Sequence, residues 1–145
     1  MKRVSITPMF VEFIPDQLDD GVLYISEKYS TVIHKCCCGC GEEVVTPLSP
    51  VEWQLRKKDD LVSLSPSIGN WNFSCQSHYW IRGNRVVWAG LMSETKIRRI
   101  QDRDRLDKEN YIAMVNEHKF KEERKLPVLY RIWSRLRDLW AKAFK

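Results

Sequence analysis

The cysteines of this 145-residue chain constrain its fold more than any other feature, because they form two groups far apart in sequence. Four lie between residues 36 and 40, and the fifth, Cys75, is followed after a two-residue gap by His78. Thiolates and imidazoles are the ligands that Zn²⁺ takes in closed tetrahedral sites. The spacing therefore predicts a zinc site that holds two distant segments together. Five is an odd number, which argues against complete pairing in disulfides.

The candidate ligands exceed the four that a tetrahedral ion accepts, so two ligand sets stay open. In the first, two cysteines of the early group combine with Cys75 and His78. The second is a four-thiolate set that leaves His78 and His34 free; its members are Cys36, Cys38, Cys40 and Cys75. Alternating cysteines share one face of an extended segment, and Gly39 and Gly41 allow the curvature that would bring them onto one ion.

Composition and charge are those of a folded protein with a basic tail. Apolar residues make up 43% of the chain and charged residues 30%, and no apolar run approaches the roughly 20 residues that span a bilayer. Residues 1–14 lack the apolar core of a signal peptide, so we expect a cytoplasmic location, where reduced cysteines bind metal more often than they form disulfides. Residues 1–90 carry a net charge of −1 and residues 91–145 a net charge of +6.

The first 90 residues predict a small, zinc-stabilised antiparallel β domain with six to eight short strands. β-Branched and aromatic residues cluster between turn signals, which is typical of strands. Short strands are predicted at residues 3–7, 10–14, 22–25 and 28–33, and hairpins at residues 53–64 and 79–89. A loop rich in proline, serine and glycine is predicted at residues 63–70. The fold class is therefore mainly β, with a C-terminal helical extension.

The second predicted domain, residues 91–145, is a charged and mostly helical tail. Residues 96–124 predict one broken helix or a semi-ordered arm. Pro127 then begins an amphipathic basic helix with two tryptophans on its apolar face. This helix could pack on the β domain, lie on an anionic membrane surface or dock in a partner's groove. Because the charges of the tail are mixed, we expect a solvated helix surface and no binding to nucleic acid.

Two kinds of chemistry are compatible with the cysteine-rich region. A catalytic zinc would need an open position and a carboxylate base; Glu42 and Glu43 adjoin the cysteines, but the chain has no His-Glu-x-x-His motif and thiolate-rich sites are usually structural. A serine nucleophile would need a neighbouring imidazole to accept its proton. Ser67 lies in the predicted loop before His78, and Gly69 or Asn70 could supply donors to an oxyanion.

Several short motifs between residues 10 and 90 occur together in one bacterial family. They are Phe10-Val11-Glu12-Phe13-Ile14-Pro15, Gly21-Val22-Leu23-Tyr24, His34-x-Cys36-x-Cys38-Gly39-Cys40-Gly41, Val45-Thr46-Pro47-Leu48-Ser49-Pro50-x-x-Trp53, Ser65-x-Ser67-Ile68-Gly69-Asn70-Trp71 and Cys75-x-Ser77-His78-Tyr79-Trp80-Ile81. In these motifs the chain resembles the small cysteine-rich proteins, long labelled a domain of unknown function, that are encoded beside bacterial ubiquitin-like modifiers and their activating and conjugating enzymes.

The resemblance implies a serine-type, zinc-containing peptidase that matures or removes the modifier. It implies that the metal ligands are Cys36, Cys38, Cys40 and Cys75. It also implies Ser67 as nucleophile and His78 as base, with His34 as the replacement base if His78 binds zinc. Cys37 stands where proline is usual in the family, so we do not expect it to be a ligand.

We therefore expect a protease or isopeptidase that acts on a ubiquitin-like modifier and its conjugates, with a structural zinc. Partners would include the modifier and the activating or conjugating enzyme. One alternative is a non-catalytic zinc module that recruits components of the same pathway. Another is a zinc metallopeptidase. The acidic third member of a triad cannot be chosen from the sequence, although Glu42 and Glu43 lie near the cluster.

Overall fold

The computed structural model describes residues 1–90 and 92–125 of the chain. The chain divides into two compact units, Met1–Asp104 and Arg105–Lys145. The described residues form eight strands and one helix: β1 (Thr7–Phe10), β2 (Val22–Ser26), β3 (Thr31–Lys35), β4 (Glu43–Pro47), β5 (Gln54–Lys58), β6 (Leu61–Gly69), β7 (His78–Arg82), β8 (Arg85–Trp88) and α1 (Glu94–Lys125). The prediction of a mainly β protein with a C-terminal helix is confirmed.

The strands form two four-stranded sheets, each built largely from sequence neighbours. The first sheet has the order β1-β2-β3-β4, and β1 pairs with β2 in parallel while the other pairs are antiparallel. The second sheet has the order β5-β6-β7-β8 and is antiparallel throughout. Short turns such as Gly83-Asn84, where both residues have positive φ, allow these neighbours to pair directly.

The inner faces of the two sheets contribute to one hydrophobic cluster. Side chains alternate along the strands, so every second residue points inward. In β3 this alternation buries Val32 and His34, and in β7 it buries Tyr79 and Ile81. These side chains pack with Leu23 and other apolar residues of both sheets. The alternation places one fully buried histidine in the core and leaves the opposite face of β7 available for a site.

The predicted loop at residues 63–70 is wrong, because β6 continues through Gly69. Leu64 pairs with Ile81 and Ile68 pairs with Tyr79, so three residues of β6 face a single residue of β7. Such a β-bulge accommodates extra residues without ending the strand, and bulges often lie beside active sites. The turn signals of the sequence mark an irregular strand here.

The predictions at both ends of the β region need smaller corrections. Residues 3–14 contain one strand, Thr7–Phe10, where two were predicted. Pro8 lies inside it, which an edge strand tolerates because one side of its backbone needs no partner.

Residues 96–124 belong to one continuous helix, α1, whose Glu117 and Lys121 form an ion pair of 2.7 Å one turn apart.

No helix in the described part of the chain has the length and apolar content needed to cross a bilayer. The amphipathic helix predicted from Pro127 lies outside the described residues.

Candidate metal centre and active site

Four cysteine thiols converge at one end of the β domain. The sulfur atoms of Cys36, Cys38, Cys40 and Cys75 all lie within 4.8 Å of one another. The measured Sγ–Sγ distances are 3.4 Å for Cys36–Cys38, 3.7 Å for Cys40–Cys75 and 3.9 Å for Cys36–Cys75. Zinc–sulfur bonds of about 2.3 Å in a tetrahedron would place the sulfurs about 3.8 Å apart. The arrangement therefore fits a single tetrahedral metal ion and is consistent with zinc.

The turn after β3 brings three of these thiols together. The amide of Cys36 donates to the Glu42 carbonyl at 2.8 Å, which closes the turn where β3 ends and β4 is about to begin. Gly39 adopts a φ of +85°, and a Cβ at this position would lie 2.9 Å from the Met1 nitrogen. A side chain would therefore meet both an unfavourable backbone conformation and a steric clash. Gly39 is thus required for the curvature that the sequence predicted.

Neither histidine of the region belongs to the thiol group, so the structure assembles the four-thiol set rather than the set that includes His78. Cys37 also lies outside the group. Its side chain is fully buried in the hydrophobic cluster, and burial raises the pKa of this thiol to about 11. Because its sulfur lies outside the thiol group and its side chain is buried among apolar residues, Cys37 is a core residue.

A buried hydrogen-bond network surrounds the Cys36 sulfur. Ser77 Oγ lies 3.1 Å from Cys36 Sγ, and Asn70 Nδ2 lies 3.5 Å from the same sulfur. Asn70 Nδ2 also donates to Ser77 Oγ at 2.8 Å. Groups of this kind orient metal ligands and stabilise their charge. Sequence reasoning did not assign this role to either residue; the only signal was their position beside the ligand and glycine motifs.

His34 is fully buried and cannot act as the replacement base. Its Nε2 lies 2.8 Å from the Tyr79 hydroxyl oxygen, and burial lowers the pKa of His34 to about 4. Its Nδ1 is buried and makes no hydrogen bond within the described part of the chain. The ring lies inside the core, where it cannot reach a substrate.

His78 lies at the start of β7, beside two indole rings. Its ring centroid is 4.9 Å from that of Trp71 and 5.3 Å from that of Trp80. The side chain is 7% exposed. Burial, with a smaller effect from the positive charge of Lys96, lowers the pKa of His78 below its usual value. The imidazole is therefore neutral near pH 7, which is the form that accepts a proton.

Ser67 lies on the same face of the second sheet as His78. Its neighbour Ile68 points into the core, so strand alternation directs Ser67 to the opposite face, together with Gly69. Gly69 pairs directly with His78 across β6 and β7. Ser67 therefore lies two residues from the register partner of His78, and no hydrogen bond joins the Ser67 and His78 side chains among the described residues.

The nearby serines differ in what their hydroxyl groups contact. Ser77 is bonded to Asn70 and Cys36, and Ser63 accepts the Gly83 amide at 2.9 Å. Ser67 is half-buried and bonds to no other described residue. The Ser67 hydroxyl is therefore free to meet a substrate, whereas Ser63 and Ser77 have structural partners.

The geometry supports neither Asn70 as an oxyanion donor nor Glu42 or Glu43 as the acidic third member. The Asn70 amide donates to the Ser77 carbonyl at 2.9 Å, and its side chain is bonded as described above, so Asn70 is not free to bind an oxyanion. His78 Nδ1 is buried without a hydrogen-bond partner among the described residues, so neither Glu42 nor Glu43 orients it. The site therefore has a candidate nucleophile and base but no acidic third member in the described chain.

A β domain with a four-thiol centre and with serine and histidine on one sheet face is compatible with the class of serine-type hydrolases. The family model described as "Bacterial ubiquitination-like system serine protease (BubE)" matches residues 10–89, and the chain belongs to this family. The resemblance and the serine-protease class expected from the sequence are confirmed by this match. No curated protein and no solved structure matches the chain.

Proposed function

We propose that the protein is a serine-type protease or isopeptidase that matures a bacterial ubiquitin-like modifier or removes it from its conjugates. Membership of the BubE family supports the reaction class and the pathway. The observation that carries the residue assignment is the shared sheet face of Ser67 and His78, next to a bulge in β6. The modifier and its conjugates are then the substrates, and the activating or conjugating enzyme is a possible further partner.

In the proposed reaction His78 removes the proton of the Ser67 hydroxyl. Because Nδ1 is buried, Nε2 is the nitrogen that accepts this proton. Ser67 Oγ attacks the carbonyl carbon of the modifier's last residue, the C–N bond breaks, and the amine leaves with the proton from His78. Water, deprotonated by the same imidazole, then hydrolyses the ester and restores the serine.

The four clustered cysteines would hold the metal, which we propose is Zn²⁺. A set of four thiolates fills the tetrahedron and leaves no open position for water, so bound zinc would stabilise the fold. It would join the turn after β3 to the segment that leads into β7. Residues 1–90 are then the zinc-binding catalytic domain of a cytoplasmic protein, and residues 91–145 are its helical extension.

One observation favours the non-catalytic alternative, a zinc-binding interaction module of the same pathway. In a catalytic triad a third group holds the histidine by a hydrogen bond, whereas His78 Nδ1 has no such partner in the described residues. An imidazole that lies against two indole rings, with no hydrogen bond at Nδ1, is equally compatible with a surface that binds a partner.

Cleavage of a modifier–target fusion by the purified full chain decides between the two functions. We expect the unaltered protein to cleave after the modifier's last residue, and Ser67→Ala and His78→Ala to lose this activity while they keep the far-ultraviolet circular dichroism of the parent. Cleavage that survives both substitutions would refute the serine mechanism. A folded, metal-loaded protein that binds the modifier without cleaving it would establish the interaction module.

A further inference from the structure

Strand β4 has a free edge, and the positions of two hydrogen bonds show which backbone groups point outward. Cys36 donates to the Glu42 carbonyl, and Leu48 donates to the Ser30 carbonyl. Bonded pairs alternate in an antiparallel ladder, so the pairs between these two that bond to β3 involve Val44 and Thr46. The backbone groups of Glu43 and Val45 therefore point away from the sheet.

The free edge is short and well defined. The amide of Trp53 donates to the Pro47 carbonyl, so the chain that follows β4 covers this end of the edge. No described residue bonds to the amide or carbonyl of Val45, and its side chain is 53% exposed. An unpaired strand edge of this kind can accept a further strand.

A narrow groove runs along this edge. Its volume is about 180 Å³, and it is lined by residues 44–46, Trp53 and residues 68–73. The indole nitrogen of Trp53, a residue that lines the groove, is buried and has no acceptor among the described residues. The groove is smaller than the roughly 300–1,000 Å³ of small-molecule pockets, so it has room for a strip of backbone with small side chains.

Trp71 lines the groove and also contacts the candidate catalytic face, which is the face of the second sheet that carries Ser67 and His78. Its ring covers Gly69, where a Cβ would lie 2.4 Å from the indole. The same ring lies against His78, with 4.9 Å between ring centroids and an interplanar angle of 56°. Trp71 therefore contacts both the groove and His78.

We propose that the β4 edge binds the substrate segment next to the scissile bond as an added strand, through the amide and carbonyl of Val45. The groove commits this segment to an extended conformation and to small side chains where it faces Trp71. This inference rests on the proposed protease function, because it takes the groove's occupant to be the segment that leads to Ser67.

Binding of a short peptide to the full chain tests the proposal without requiring cleavage. The protein carries Ser67→Ala, and the probe is an acetylated hexapeptide amide of alternating alanine and glycine. We expect its addition to shift the NMR amide signals of Glu43, Val45 and residues 69–73 and to slow the hydrogen exchange of the Val45 amide. Methylation of the peptide's central amide nitrogens should weaken binding about fivefold or more, the effect of one lost backbone hydrogen bond. Phenylalanine in place of the central glycines should weaken it further.

The variant Val45→Pro removes the outward amide without removing a bond to β3. It should weaken peptide binding to a similar extent. Its matched control, Val45→Ala, keeps the amide and should bind within about twofold of the parent. Equal binding by Val45→Pro, equal binding of the methylated peptide, or shifts confined to other surfaces would overturn the proposal. So would signals that depend on protein concentration alone, because these would indicate that a second copy occupies the edge.

The same variants separate this proposal from the proposed function. Loss of peptide binding in Val45→Pro, together with cleavage that persists in Ser67→Ala, would support the groove and refute the nucleophile. Loss of cleavage in Ser67→Ala, together with normal peptide binding by Val45→Pro, would support the nucleophile and refute the groove.

Discussion

The thiol cluster and the Ser67–His78 face lie in the same compact unit but differ in how completely their polar groups are bonded. Each cluster sulfur lies close to others, and Asn70 and Ser77 contact the Cys36 sulfur. On the catalytic face, the Ser67 hydroxyl and His78 Nδ1 bond to no other described residue. The cluster is arranged to be closed by an ion, whereas the face leaves the Ser67 hydroxyl free for a substrate. Native proteins tolerate unsatisfied groups mainly where function needs them.

One segment connects these two regions. Within residues 69–78, Asn70 and Ser77 bond toward the cluster, while Gly69 and His78 belong to the catalytic face. A disturbance of the cluster should therefore reach the face, whereas a change confined to Ser67 should not reach the cluster. The predictions below test this asymmetry.

The largest effect is expected from loss of the metal. Cys75→Ser, or a strong chelator, should unfold the β domain, because structural zinc contributes roughly 10–16 kcal/mol of apparent binding free energy in small domains, as much as a whole domain's stability. Thermal melting followed by circular dichroism, with zinc measured by atomic absorption, checks this. A chelated protein that stays folded but inactive would instead identify a catalytic metal.

Ser67→Ala should reduce kcat/KM for the fusion by about 10⁴-fold or more, since loss of a nucleophile removes the covalent route. Melting temperature and zinc content should not change. Ser65→Ala is the matched control, because Ser65 lies in the same bulge but is exposed, and it should keep most of the activity. A fluorophosphonate reagent should label Ser67 in the parent protein; labelling of Ser65 instead would reassign the nucleophile.

Asn70→Ala should weaken zinc binding by roughly 10–100-fold, the usual effect of removing a group that supports a ligand. Competition with a chromophoric chelator measures this affinity. The exposed neighbour Asn72 offers the control, and Asn72→Ala should bind zinc like the parent. If both variants bind zinc equally well, the network around Cys36 does not support the metal site.

Cys37→Ala should leave the zinc stoichiometry unchanged and cost about 1 kcal/mol of unfolding free energy, because it removes a small buried side chain that is not a ligand. Urea denaturation and metal analysis on the same sample check both parts. Loss of one zinc per chain would show that Cys37 belongs to the site.

The smallest effect concerns the pH dependence of cleavage. The pKa of folded His78 lies below its usual value, so its base form, and with it activity, should persist below pH 6.5 and fall as pH drops through the folded pKa. Lys96→Gln removes a nearby positive charge and should move this acid limb toward higher pH. Protonation also favours the unfolded chain, so His78 contributes to a loss of stability as pH falls below about 6.5. If the acid limb of the pH–activity profile does not move in Lys96→Gln, this result argues against His78 as the titrating base.

The sequence was sufficient to predict the cysteine cluster and the fold class. Metal ligation depends on residue types at short spacings, so Cys75 and the cysteines after residue 35 could be grouped without knowing the fold. Alternating hydrophobicity likewise predicted most of the strands. The choice among ligand sets needed the fold, because only the structure shows that His78 lies outside the group of four sulfurs.

The candidate catalytic face was harder to predict, because it depends on register across two strands. Ser67 was expected in a loop, since proline and glycine usually mark turns, but the bulge keeps it in β6. The roles of Asn70 and Ser77 depend on distances between segments that no local pattern encodes. The pairing of Ser67 with His78 came from family resemblance and stays a prediction.

The two indole rings beside His78 have a further consequence for the proposed chemistry. Both ring centroids lie within the roughly 6 Å over which an aromatic face attracts a cation. In the proposed reaction, when Ser67 transfers its proton, the imidazolium forms beside these two indole rings. Trp71 and Trp80 would then supply, through their quadrupoles, part of the transition-state stabilisation that a carboxylate supplies in a triad.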